Sequence, residues 1–130
     1  MGQLEQTLKT RLKAFGSQGV VAYVRWAPQA ATATQVLTEA CGVRSVTQTG
    51  AGAYTIKFSV KPIAIIPVSA REIENDTTHY HVVRVESTSA TDGTATVTHK
   101  SVAFASVASG PTATDTVDEL CFVFLLRLGG

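Results

Sequence analysis

The sequence predicts a mainly β protein: an antiparallel β-sandwich or barrel, jelly-roll-like in its general form, with one short N-terminal α-helix. Three observations predict this. Beyond residue 16, β-branched and aromatic residues dominate, and Gly, Pro, Asp and Asn arrive at the intervals typical of strand-turn-strand chains. Short segments alternate apolar and polar with period two, so that Tyr54, Ile56 and Phe58 share one face and Ala95, Val97 and His99 share another. The closing run Leu120 to Leu126 is apolar on both faces, the pattern of a strand covered on both sides.

The helix is read over residues 3–15, where Leu4, Leu8, Leu12 and Phe15 recur at steps of four, four and three and fall on one side. Gly16 follows at a helix-ending position, and Arg11 and Lys13 sit in the last turn, favourable for the helix dipole. About three turns of helix are marginal alone in water, so this stripe needs a surface to dock on.

Val20 to Trp26 is the first strand. Pro28 and the Ala/Thr stretch 29–34 form a loop, read as mobile or as a contact-making arm, before a short run over 35–40. Runs over 44–49 and 53–59 flank Gly50-Ala51-Gly52 and form a hairpin. The run 63–70 contains Pro67, which points to a sheet edge or a bulge because proline cannot donate to a ladder. Turn signals at 75–78 and at Asp92-Gly93 bracket a strand over 79–87, with His81, Val83 and Val85 on one face and Tyr80, Val82 and Arg84 on the other. A strand over 94–100, an apolar stretch over 102–107 and the final run 117–128 complete the chain.

With 130 residues and 45% apolar content, the chain is read as an arm, residues 1–16, joined to one β-domain, residues 17–130. Only 16% of residues are charged and the formal charge is +1. Such a surface offers no field for phosphate backbones or anionic lipid, so neither nucleic acid nor a membrane is an expected partner. The sequence shows no secretion signal, and its longest apolar run is far short of the roughly 20 residues of a membrane-spanning helix. Cys41 and Cys121 lie without metal-ligand spacing and are read chiefly as reduced core residues, with a disulfide as the alternative.

Several residue groups have the chemistry for a site. His79 and His81 share one face of a strand, and His99 offers a third imidazole in a zinc-like set. The more ordinary reading of all three is a structural or surface role, since partly exposed strand histidines are common, and neither a metal nor another cofactor is expected. No nucleophile-elbow pattern occurs, and the carboxylates near 72–76 and 115–119 lie in turn-like stretches, so catalysis is not expected. Tyr23, Arg25 and Trp26 combine the residue types that dominate protein contact sites and sugar-stacking platforms, with core packing as the alternative for Trp26. Together with Leu4, Leu8, Leu12 and Phe15 they form the expected interface set.

The stretch Val46 to Phe58, VTQTGAGAYTIKF, resembles a segment of phage virion proteins in which a strand, a Gly-x-Gly turn and a Tyr-x-Ile-x-Phe strand open a small β-barrel. Cys121 to Arg127 is similar to the apolar closing strand of those domains, and the likeness loosely covers residues 43–130. The resemblance implies a capsid decoration (cement) protein or a tail-fibre tip, oligomeric and without cofactor. A fibre tip ends a long repetitive shaft, which this sequence lacks, and that favours decoration. The implied partners are the major capsid protein or another virion protein, with copies of the chain itself as a dimer or trimer. The place of action is the capsid surface after synthesis in the host cytoplasm. A carbohydrate- or receptor-binding module using Tyr23, Arg25 and Trp26 is the rival reading.

Overall fold

The computed structural model describes residues 19–29, 33–73, 78–105, 110, 112–113 and 119–129. The helix expected over 3–15, and with it Leu4, Leu8, Leu12 and Phe15, lies outside the described residues. Nine strands follow in order: β1 (Gly19–Trp26), β2 (Glu39–Cys41), β3 (Val43–Gly50), β4 (Ala53–Phe58), β5 (Ala64–Ile73), β6 (His79–Ser89), β7 (Thr94–Ala103), β8 (Thr112–Ala113) and β9 (Glu119–Arg127). They make two antiparallel sheets, β2-β1-β9-β5 and β3-β4-β7-β6, with β8 added to β7. Among the described residues neither sheet closes on itself, so the arrangement is sandwich-like rather than a closed barrel.

The two sheets meet through their inward rows. From the first sheet come Ala22, Val24 and Trp26 on β1 and Leu120, Phe122, Phe124 and Leu126 on β9; from the second come Val46, Tyr54, Ile56, Phe58, Ala95 and Val97. Aromatic rings bridge the gap: Trp26 stands edge-on to Tyr54 at 5.3 Å, and Phe58 meets Phe124 in the same manner at 5.0 Å. Each such pair adds about 0.5–1.5 kcal/mol beyond the area it buries. The period-two faces expected for Tyr54, Ile56 and Phe58 and for Ala95, Val97 and His99 all point inward.

Strand β9 lies between β1 and β5, and so is a central strand as its composition requires. Pro67 lies on β5, which pairs only with β9 among the described residues, and the ladder shifts register between Pro67 and Ser69. Both expectations for this proline, an edge and a bulge, are met at once. The expected short run over 35–40 is shifted, since only Glu39–Cys41 pairs with β1. Residues 102–103 do not start a separate strand but continue β7.

The loop at 29–34 is tied down at its ends. Buried Gln35 accepts the Gln29 backbone N–H through Oε1 at 2.7 Å and donates through Nε2 to the Gln29 carbonyl at 3.1 Å. The Gln29 side chain in turn accepts the Val36 N–H at 2.8 Å and donates to the Ala27 carbonyl. These four bonds join the two ends of the stretch, and residues 30–32, the body of the expected arm, lie outside the described residues.

One residue, Gly42, separates β2 in the first sheet from β3 in the second. The crossing needs a positive φ of 73°, and a Cβ there would sit 3.1 Å from the Ala22 Cβ in the core. Gly50, by contrast, has ordinary φ and open space where a Cβ would stand. Gly42→Ala is expected to cost about 1–3 kcal/mol, measured as a lowered denaturation midpoint at unchanged slope, while Gly50→Ala leaves the midpoint close to that of the parent chain.

Candidate interaction surface

Alternation along β1 decides the roles of the three residues singled out on it. Trp26 points inward with 0% exposure, stacked on Phe122 at 5.6 Å, and its indole N–H has no acceptor among the described residues. The interface role expected for Trp26 is therefore corrected to a core role, because a ring enclosed by Tyr54 and Phe122 offers no face to a neighbour.

Tyr23 and Arg25 point outward from the first sheet. Tyr23 donates its hydroxyl to Glu39 Oε1 at 3.0 Å. Arg25 lies between two carboxylates, with Nη2 3.7 Å from Glu39 and Nε 3.5 Å from Glu119 Oε2, ion-pair contacts rather than hydrogen bonds. Partly exposed pairs of this kind contribute about 0–1 kcal/mol each and chiefly fix side-chain position. Cys41 and Cys121 are free thiols carried by β2 and β9, with β1 between those strands. The core role expected for them is corrected: Cys41 is exposed on an edge strand, and Cys121 takes an outward, half-buried position on β9.

The three histidines do come together on the inner side of the second sheet. His99 is fully buried, and its Nε2 lies 2.9 Å from His81 Nδ1 with the two rings nearly parallel. His79 stands 6.4 Å from His81, and its Nδ1 is hydrogen-bonded to the Thr78 hydroxyl at 2.8 Å. In the His81–His99 contact one imidazole donates and the other accepts, so nitrogens suited to a metal are turned toward each other. Among the described residues no group of three or more His, Cys, Asp or Glu side chains has a metal-binding arrangement. The His81–His99 hydrogen bond ties β6 to β7.

The edges of the sheets distinguish the surface further. Edge β2 has three residues, and edge β3 is covered by residues 33–35, through Gln35 N–H to Val46 O at 2.9 Å, Gln48 N–H to Ala33 O, and a bridge between Thr34 and Thr47. The remaining edges, β5 and β6, lie side by side on the opposite flank and bound an open groove of about 330 Å³ lined by Pro67, Val68, Ser69, Ala70, Val83, Arg84 and Val85. Strand β6 is 11 residues long. Edge strands can offer N–H and C=O groups to other chains, and a bulge and a proline interrupt this on β5.

Large apolar side chains are exposed along the same flank. Val68 is 63% exposed, and Tyr80, on the outer face of β6, is 56% exposed and packs edge-on against Phe104 at 4.3 Å, with Val82 beside it. Sequence reading placed Pro67 at an edge and put Tyr80 and Val82 on one face, but it had no signal for the flank itself. The groove exists only because strands 64–73 and 79–89 end up at the rims of different sheets. Searches against protein-family models, curated proteins and solved structures find nothing that matches this chain.

The hydrogen bond to Glu39, followed by the charge of that carboxylate, holds the Tyr23 phenol above its ordinary value of 10.0. A raised value means that the fold favours the protonated phenol. Its stabilising contribution is complete below pH 10.0 and is lost as the pH rises through the higher folded value. The difference in phenolate absorbance between the parent chain and Tyr23→Phe is expected to give a midpoint above 10.0, and Glu39→Gln to move it down toward 10.0.

Proposed function

We propose that this chain is a non-enzymatic structural protein of a phage virion that decorates or cements the capsid through protein–protein contacts. Its partner on this reading is the major capsid protein or another virion protein, and the chain acts as a dimer or trimer on the capsid surface. The observation that carries the proposal is the β5–β6 flank, where two strands that are sheet edges among the described residues border an open groove, with Val68 exposed in its lining and Tyr80, Val82 and Phe104 exposed at and beside β6. Exposed apolar side chains beside an edge strand suit addition of an extended segment from another protein. The low content of charged residues supports it too, since little ionic desolvation opposes burial of such a surface.

The direction toward a virion comes from the resemblance of residues 46–58 and 121–127 to phage virion domains. The comparison with jelly rolls extends to the two-layer antiparallel architecture; the hairpins β1–β2, β3–β4 and β6–β7 are local pairings within each sheet. Mechanistically, a protein that binds only the assembled lattice stabilises it by mass action. The rival sugar-binding module loses its stacking platform, because the Trp26 ring is enclosed in the core.

Co-sedimentation with empty shells of the major capsid protein encoded alongside this chain tests the proposal, with native mass measured in parallel. Expected are saturable binding and a loss of at least about tenfold in affinity, equivalent to ~1.4 kcal/mol, for the double variant Val68→Asp/Tyr80→Asp. A strictly monomeric protein that stays in the supernatant at all concentrations overturns it.

A further inference from the structure

Strand β6 is a sheet edge among the described residues, and its outer face presents Tyr80, Val82 and Arg84 in succession. Tyr80 and Val82 are 56% and 37% exposed, and the Arg84 side chain 66%. From His79 to Val85 the strand pairs residue for residue with β7, and the register first shifts between Val85 and Ser87. This regular stretch carries an aromatic ring near one end, a guanidinium group near the other and an aliphatic side chain midway. A row in this order is self-complementary, because a copy running the opposite way supplies cation, aliphatic group and ring in reverse.

We infer that β6 pairs with β6 of a second copy, antiparallel about a two-fold axis at Val82, and joins the second sheets of the two copies edge to edge. The inference rests on the reading of the β5–β6 flank as a protein-contact surface and names a partner for it. In this register Val82 faces the partner's Val82, and each Tyr80 faces the partner's Arg84. Side chains directly opposite across an antiparallel pair interact, and a guanidinium group is attracted to the face of a phenol ring. Arg84 can turn to make this contact: its ion pair with Glu86, at 3.7 Å, is partly exposed and weak, and Glu86 keeps the hydrogen bond that Thr98 donates at 2.7 Å. Other centres are poorer. An axis at Arg84 sets two guanidinium groups against each other, an axis at Val83 sets Val82 against the partner's Arg84, and an axis at Val85 carries the ladder across the register shift.

The size of the contact fits a reversible dimer. The stretch from His79 to Val85 runs for about 24 Å, and a flank two sheets tall measures about 20 Å across with its side chains. The two copies together bury on the order of 1,000 Å², the lower bound of specific interfaces. Pro67 and the register shift beside it keep β5 out of a continuous ladder, so the first sheets meet through side chains, among them exposed Val68. Pairing β6 with itself uses the same edge of both copies, so assembly closes at two. On dilution the monomer is released with its β6 edge open.

Disulfide trapping reads the register directly. In the full chain with its native thiols replaced, Cys41→Ser/Cys121→Ser, the further change Val82→Cys is expected to give an interchain disulfide under mild oxidation. The two Cα atoms on the axis then lie about 4.5–5.5 Å apart, within reach of such a bond. Glu86→Cys in the same background gives none, since its two copies stand roughly 27 Å apart in this register. The native mass of the parent chain is expected to rise from monomer to dimer with concentration, and Arg84→Glu to raise the dissociation constant at least about tenfold. Trapping at position 82 no greater than at 86, a parent chain that stays monomeric at every concentration, or a dissociation constant unmoved by Arg84→Glu overturns the inference. Shells that take up such a monomer leave the decoration reading standing, and a dimer that never sediments with shells counts against that reading alone.

Discussion

The inner row of β9 is the contact on which the rest of the fold depends. Leu120, Phe122, Phe124 and Leu126 lie on the strand that joins β1 to β5; Phe124 meets Phe58 of the other sheet, and Phe122 stacks on Trp26, which itself stands against Tyr54 of the other sheet. Burying a side chain of this size contributes roughly 1.5–3 kcal/mol, and four stand in succession on one strand. The β1 and β5 ladders are both templated on this strand, so without it the first sheet has no centre. Gly42 and the Gln29–Gln35 clamp then hold the flank where the chain passes from one sheet to the other.

The consequence for the surface is an asymmetry between flanks. On the Gly42 side, a covalent crossing and the cover supplied by residues 33–35 leave little backbone for a neighbour. On the β5–β6 side, a proline and a bulge interrupt one edge, and the other edge runs for 11 residues with tyrosine and valine beside it. Soluble proteins guard free edges of this length by charge, twist or cover. Arg84 and Glu86, 3.7 Å apart, put charge on the far part of β6, and Lys100 pairs across the ladder with Val82, whereas the ladder partner of Tyr80 is Val102.

What the sequence made legible follows from the physics of a strand. Period-two alternation at 54–58 and 94–99 grouped the residues that share a face, and two-faced apolarity at 120–126 named a strand covered on both sides, because both signals are local. Pro67 was readable for the same reason, since a missing N–H excludes it from a central ladder wherever the strand lies. The roles of Trp26, Cys41 and Cys121 were not readable. Parity along a strand separates inward from outward residues, but residue type alone does not assign which parity faces the core, and tryptophan and cysteine occur on both sides. The β5–β6 groove was also invisible, because it depends on strand order, which is set by pairings among segments far apart in the chain. His81 and His99 lie between these cases: the sequence placed each on a face shared with apolar residues, and only the β6–β7 register brings the two rings together as a hydrogen-bonded pair.

Residue-resolved amide hydrogen exchange on the isolated protein tests most directly the claim that β9 organises the molecule while the β5–β6 flank stays open. The account predicts that the Leu120–Leu126 amides exchange only through global unfolding, at the slowest rates in the chain, and that amides on the free edges of β5 and β6 exchange through local opening. Amides of β9 that exchange as fast as those edges would contradict it.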